Sequence, residues 1–311
     1  MKILVTGGAG FIGSHIVDAY VNEGHKVVII DDLSTGRIQN VNKNAEFVCA
    51  NIQDAEVEEV FQRHSFDVVN HQAAQMDVRR SVEDPIYDAR NNVIGFINIL
   101  QNAVKYGAKK VIFSSSGGAI YGEQDNFPAD EEHKLQPYSP YGITKLVGEK
   151  YLFFYALNYG IKYTALRYAN VYGPRQNPFG EAGVVAIFTK MLLENQQPVI
   201  NGNGEQTRDF VYVKDVVRAS VLALEQKESN IFNIGTARET TINELYDSLS
   251  KAADGRLEAK HGPGKEGEQF RSVISYKKAE KELGWQPTYS LDKGLKETID
   301  YFRKYEMQKN K

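Results

Sequence analysis

Tyr141-Gly142-Ile143-Thr144-Lys145 places a phenol and an ammonium four residues apart. On a helix that spacing puts both on one face. Ser139 and Pro140, just before it, suit a helix N-cap and its first position. Tyr141 is therefore expected in a first turn, held toward a cleft. A free tyrosine titrates near about 10. Neighbouring positive charge lowers that value, and the phenolate can then take a proton from a hydroxyl. A second stretch with chemistry is Thr6-Gly7-Gly8-Ala9-Gly10-Phe11-Ile12-Gly13. Gly7, Gly10 and Gly13 have GxxGxxG spacing between an apolar run and a helix-like one. Such a loop lets backbone approach a pyrophosphate, with the positive end of a helix aimed at it. Asp31 ends the next apolar run, where a carboxylate can bind a ribose 2′-hydroxyl and repel a 2′-phosphate. That favours NAD over NADP.

These residues need elements to hold them. Residues 3–5, 27–30, 47–49, 68–69, 111–113 and 163–166 read as strands, short, β-branched and bounded by polar residues or glycine. Residues 12–22, 55–63, 86–105 and 141–157 read as helices. The alternation implies an α/β fold with a Rossmann-type, doubly wound parallel sheet covered on both faces. After about residue 170 the rhythm loosens. Residues 173–178 form a loop by composition, and shorter helices begin near Thr241 and Ser290. Thr241-x-x-Glu244 matches a capping box. The expected organisation is a dinucleotide-binding domain over 1–170 and a smaller α+β domain, mainly substrate-binding, over 171–311. The chain is expected to cross between them.

Apolar residues make up 42% of the 311 and charged residues 25%, which excludes disordered and collagen-like classes. A net charge of −3 gives no electrostatic reason to expect a nucleic acid or a membrane surface as partner. No run is long and apolar enough to span a bilayer. One cysteine, Cys49, excludes an intrachain disulfide and a CxxC site. It is expected to be a buried small hydrophobe. The histidines show no metal-ligand spacing, so no metal is expected, and His71 reads as a buried, hydrogen-bonded side chain. A cytoplasmic location is expected.

Further stretches carry a resemblance: TGGAGFIGSH (6–15), the run from His71 to Ala74, FSSSGGAIYG (113–122), SPYGITK (139–145), LRYANVYGPRQ (166–176), RDFVYVKD (208–215), FNIG (232–235) and LGWQP (283–287). The chain resembles the extended short-chain dehydrogenase/reductases, most of all the UDP-glucose (UDP-galactose) 4-epimerases of short bacterial and archaeal type. The resemblance implies a tightly held NAD that takes a hydride from C4 of a UDP-hexose and returns it to the other face through a transient 4-keto sugar. It implies Tyr141 as base, Lys145 as its modulator and ribose anchor, and Ser116 as the hydroxyl bonding O4. The extra glycine in this motif leaves Ser115 as the alternative. The implied cofactor contacts are Gly7, Gly10, Phe11, Ile12, Gly13, Asp31, Asn51, Ile52, Ala73, Asn92, Tyr141, Lys145 and Tyr168. The implied substrate contacts are Ser116, Tyr141, Asn170, Val199, Asn201, Arg208, Lys265, Glu268 and Ser272. A homodimer pairing the YxxxK helices is implied too, with Val147, Tyr151, Phe154 and Tyr155 along one side.

Departures from the family pattern refine the substrate. Dehydratase relatives carry an acid pair where Gly117 and Gly118 stand, which argues against dehydration. Asn177 supplies no charge where uronate-specific relatives tend to offer a cation, which favours a neutral hexose. UDP-glucuronate 4-epimerisation or decarboxylation stands as the alternative, and a non-catalytic NAD-sensing protein as a remoter one. Lys265 keeps the charge of a family arginine but loses its fork. Asn51 replaces an acid that often contacts adenine. Ser272 leaves space beside the sugar C2, so UDP-GlcNAc is expected as a further substrate.

Overall fold

The computed structural model describes residues 1–179, 183–255, 257–264 and 269–306. The N-terminal elements are β1 (Lys2–Thr6), α1 (Phe11–Asn22), β2 (Lys26–Asp31), β3 (Glu46–Cys49), α2 (Glu56–Arg63) and β4 (Val68–His71). Then follow α3 (Val78–Glu83), α4 (Pro85–Ala89), α5 (Gly95–Lys105), β5 (Lys110–Ser116), α6 (Pro140–Tyr159), β6 (Lys162–Tyr168) and β7 (Asn170–Tyr172). The remainder contains α7 (Val184–Leu193), β8 (Val199–Asn201), β9 (Thr207–Arg208), β10 (Phe210–Tyr212), α8 (Val213–Glu225), β11 (Asn230–Ile234), β12 (Thr240–Thr241), α9 (Ile242–Ala252), β13 (Lys260–Gly262) and α10 (Leu291–Tyr301).

Seven strands form a parallel sheet in the order β11-β6-β5-β4-β1-β2-β3. The order reverses between β1 and β4, and a doubly wound sheet opens its ligand crevice there, at the strands' carboxyl ends. The strands are apolar because both faces are covered. Ile16, Val17 and Tyr20 of α1 and Val216, Ala219 and Ala223 of α8 fill one face. Val57 and Phe61 of α2, Phe96 and Ile99 of α5 and Leu152 of α6 fill the other. Burying each such large side chain contributes about 1.5–3 kcal/mol. A third apolar cluster joins α7, α9 and α10 through Phe188, Leu245, Leu249, Leu295 and Ile299. The capping box at Thr241 and Glu244 is present. β11, from late in the chain, pairs with β6 from Asn230–Thr164 to Ile234–Tyr168.

One expectation is refined and one corrected. The helix expected over 86–105 is present and runs from α4 through a π-helical turn over Arg90–Ile94 into α5. A π-turn commonly interrupts a helix at a functional site, and this one turns Asn92 into a buried polar cluster. Cys49 is exposed. It ends β3, the outermost strand, whose side chains are only partly covered. A strand-like run is buried on both faces in the middle of a sheet but not at its edge.

Candidate active site

The candidate residues collect along the carboxyl edge of the sheet. Gly7 has φ +70°, and a Cβ there would meet the Ala73 nitrogen at 2.6 Å. A Cβ on Gly13 would stand 2.1 Å from the Gly7 carbonyl oxygen. These glycines let β1 turn tightly into α1. Gly10 differs: its Cβ would meet only the Gly7 oxygen, at 3.2 Å. It is also the N-cap of α1, and no side chain caps that helix. The open side and the uncapped turn, with Phe11 and Ile12 in it, form a cradle that fits an anionic dinucleotide. Asp31 is 7% exposed and accepts hydrogen bonds from the Ala9 (3.0 Å) and Leu33 (2.9 Å) nitrogens. Burial raises its pKa above the ordinary value, and those two bonds work against the rise. Its partner in sequence, Asp32, went unnoticed: it accepts from Ser34 and, at 2.8 Å, from Asn51 Nδ2.

Lys145 and Tyr141 stand where the i,i+4 rule places them. Ser139 Oγ accepts the Gly142 nitrogen at 3.1 Å, and Pro140 opens the helix. A Cβ on Gly142 would meet the Ala119 oxygen at 2.5 Å, so this turn seats tightly against the loop after β5. Lys145, 4% exposed, donates to the Ser114 carbonyl at 2.8 Å, and its Nζ lies 5.8 Å from the Tyr141 ring centroid. Burial lowers the Lys145 pKa to about 8, with Asp88 opposing. Burial pushes the Tyr141 phenol up to about 12, a hydrogen bond with Ser116 lowers it, and Asp88 raises it.

The serine left open by sequence is separated by strand alternation. Ser115 Oγ donates to Glu149 Oε1 at 2.6 Å, inside a buried pair with Arg167. The hydroxyl that meets Tyr141 is that of Ser116. A Cβ on Gly117 would stand 2.6 Å from Ile274 Cδ1, so a side chain there requires that methyl to shift. Asn170 is exposed beside Gly118, with its Oδ1 3.5 Å from where a Cβ there would lie.

Other candidates are placed as follows. Ala73 donates its N–H to Thr6 Oγ1 at 3.3 Å, and Ile52 packs on Gly95. Asn92, 4% exposed, donates to Asp88 Oδ1 (3.0 Å), the Gln75 carbonyl (2.9 Å) and Thr144 Oγ1 (3.2 Å). Tyr168 turns its hydroxyl into the core toward Ser220 and Gln72, while its carbonyl accepts from Gly117 at 2.8 Å. Arg208 donates to the Thr207 carbonyl, Val199 is exposed, Asn201 half-buried and Ser272 buried at 3%. Lys265 and Glu268 lie outside the described residues. His71 is 1% exposed and hydrogen-bonded to Thr6 Oγ1 at 2.8 Å, as expected of it. Asn177 accepts from Arg37 at 3.4 Å, so a cation reaches this loop, and position 177 alone does not decide against a uronate. Sequence reasoning missed Asp88 and Thr144. The i,i+4 interval between Asp88 and Asn92 was the signal.

The expected stripe on α6 is also redrawn. Tyr155 is buried in the core, whereas Ile143 (49%), Phe153 (59%), Phe154 (47%) and Leu157 (73%) are exposed. Ile86 and Ile94, on neighbouring helical segments, are exposed as well. Among the described residues, no helix is long and apolar enough to cross a membrane, and no group of three or more potential ligands could hold a metal.

A structure of UDP-glucose 4-epimerase from Thermotoga maritima with UDP-glucose is 51% identical, has a TM-score of 0.96, and is matched over 98% of this chain and 99% of that one. A UDP-glucose 4-epimerase from Thermus thermophilus in complex with NAD is 42% identical, with a TM-score of 0.93 and coverage of 98% and 100%. A UDP-N-acetylglucosamine 4-epimerase from Methanobrevibacter ruminantium, in complex with UDP-N-acetylmuramic acid, is 35% identical with a TM-score of 0.93 over 97% and 98%. Residues 3–235 match the NAD dependent epimerase/dehydratase family. With its glycine cradle, its Tyr-Lys pair and its sheet order, the chain belongs to that family.

Proposed function

We propose that this protein catalyses NAD-dependent 4-epimerisation of a UDP-hexose, interconverting UDP-glucose and UDP-galactose. The observation that carries the reading is the meeting of Tyr141, Ser116 and Lys145 at the sheet edge that also bears the glycine cradle. NAD, bound by that cradle with Asp31 at its ribose, supplies reversible hydride acceptance at C4. The protein's residues manage the proton. Ser116 orients the sugar O4, and Tyr141 takes its proton. Lys145, charged beside the phenol and anchored on the Ser114 carbonyl, stabilises the phenolate. Burial and the Asp88 charge hold Tyr141 up at about 12 against the Ser116 hydrogen bond, so a phenolate here needs the positive charge of Lys145, and that of a bound nicotinamide would add to it. Tyr141 then returns the proton after the 4-keto sugar has turned.

The cofactor contacts given above for Asn51, Ile52, Ala73, Asn92 and the Tyr168 backbone belong to this reading. So do the substrate contacts of Asn170, Val199, Asn201, Arg208, Lys265, Glu268 and Ser272, and the division near residue 170. The small Ser272 supports activity on UDP-GlcNAc, which Ser272→Tyr is expected to abolish selectively. The Arg37–Asn177 contact favours a second reading in which a UDP-uronate is accepted. The exposed apolar residues of α6 and the segments beside it support a homodimer, and the charge balance and single cysteine a cytoplasmic one. A 35.0 kDa species alone in sedimentation would count against the dimer.

The test is a proton NMR time course with UDP-glucose, UDP-GlcNAc and UDP-glucuronate as separate substrates. New galacto-configured anomeric signals are expected without net cofactor consumption. Tyr141→Phe should keep its fold and NAD and lose most turnover. Retained wild-type turnover would refute the tyrosine's role.

A further inference from the structure

A carboxylate outside the YxxxK motif is buried against it. Asp88, on α4, is 0% exposed. Its Oδ2 accepts from Thr144 Oγ1 at 2.8 Å, and its Oδ1 from Gln75 Nε2 at 2.9 Å and Asn92 Nδ2 at 3.0 Å. Thr144 lies between Tyr141 and Lys145, and its hydroxyl also reaches the Tyr141 carbonyl at 3.0 Å. The cluster is closed further by the Gln75 nitrogen, which donates to Asn92 Oδ1 at 2.8 Å. Every donor in these bonds is a neutral amide or hydroxyl. They solvate the carboxylate without cancelling its charge, so its field falls on the nearest ionisable groups.

Resting on the 4-epimerase reading, we propose that Asp88 is a positioning residue for the Tyr-Lys pair. It fixes Thr144, which lies between the two on α6, and holds a buried carboxylate against their helix.

The surroundings fit that role. From α6 the groups that feel Asp88 are Tyr141 and Lys145. On β4, burial and then the Lys145 charge lower the pKa of His71 to about 3, so it stays neutral. On α3, Arg79, Arg80 and Glu83 are exposed, and Asp77 caps that helix by accepting the Arg80 nitrogen. Arg90 is exposed. Lys145 thus sits where burial drives its proton off, and Asp88 opposes the loss. The same charge raises the pKa of Tyr141. Asp88 therefore moves both groups in one direction, upward.

Asp88→Asn removes the charge and can keep the cluster. The amide oxygen faces Gln75 and Asn92, and the amide nitrogen donates to Thr144 Oγ1, which in turn donates to the Tyr141 carbonyl. The experiment compares pH profiles of kcat for wild-type, Asp88→Asn, Asp88→Glu and Thr144→Val holoenzymes, with a lysine titration of the same proteins by 13Cε NMR. The Lys145 signal is identified by its loss in Lys145→Met. Asp88→Asn should move both limbs of the profile down by roughly one pH unit, and the Lys145 titration with them. Asp88→Glu should restore the limbs. Thr144→Val should lower kcat and leave the limbs in place. If Asp88→Asn is insoluble, Asp88→Ser carries the same expectation. Unmoved limbs and an unmoved lysine titration in a folded neutral variant would overturn the proposal, as would limbs moving apart. A wild-type protein that turns over no UDP-sugar would instead sink the epimerase reading, and the lysine titration would still decide the part played by Asp88.

Discussion

Replacing Glu149 by Gln is the sharpest probe of how the site is held. Glu149 on α6 and Arg167 on β6 are 2% and 3% exposed. They form a fork: Nε to Oε1 at 2.9 Å and Nη2 to Oε2 at 2.8 Å. Burial works against the Arg167 charge, but Glu149 outweighs it and holds the guanidinium pKa above its ordinary value. Glutamine keeps the shape, so the substitution removes charge and turns one acceptor into a donor facing another donor. An uncompensated buried charge costs about 3–5 kcal/mol. Unfolding entropy scales to about 0.65 kcal/mol/K for 311 residues. Tm should fall by about 5–8 °C. The assay is thermal unfolding at fixed scan rate and saturating NAD, because bound cofactor shifts apparent stability. Glu149→Gln/Arg167→Met removes both charges and should recover most of the loss. A fall of under about 1 °C in the single variant, or a double variant as damaged as the two single ones combined, would refute the argument that an orphaned charge is the cost.

Ser116→Ala should lower kcat with little change in Tm, whereas Ser115→Ala, which loses a bond to a charged group, should cost about 1.5–3 kcal/mol of stability and leave kcat nearly intact; reversed effects would exchange their roles. Gly13→Ala drives a Cβ to 2.1 Å from the Gly7 oxygen, so equilibrium dialysis should show NAD affinity falling by at least about tenfold. His71, held neutral with a pKa of about 3 against an ordinary 6.5, contributes stability that is whole above about pH 6.5 and is lost as pH falls. At pH 5 the loss is about 2 kcal/mol. Urea titrations at pH 7 and pH 5 should show that much less pH dependence in His71→Asn, and equal slopes would refute the burial argument.

The sheet was legible because its strands are β-branched runs with both faces covered, and the Tyr-Lys pair because helical spacing alone aligns it. Cys49 was misread because an edge strand and a central one share a composition, and only the pairing order separates them. Ser115 and Ser116 could not be told apart because their difference is a strand register. Glu149 and Arg167 carry no joint sequence signal, since their contact is made across two elements. Asp88 shares a helix face with Asn92 by its i,i+4 spacing, but that this face meets Thr144 is decided by the packing of α4 on α6, which carries no sequence signal.

The late arrival of β11 bears on how the chain is made. During synthesis β6 emerges before its neighbour on one side, and Ala165, Leu166 and Tyr168 remain on an open sheet edge until residues 230–234 are delivered. An unpaired apolar edge recruits other strands. The nascent protein therefore passes through a stage at which its catalytic half has most of its strands and no protected border. A chain released before residue 230 would retain the cofactor loop and the Tyr-Lys helix, yet its open border should make it aggregate.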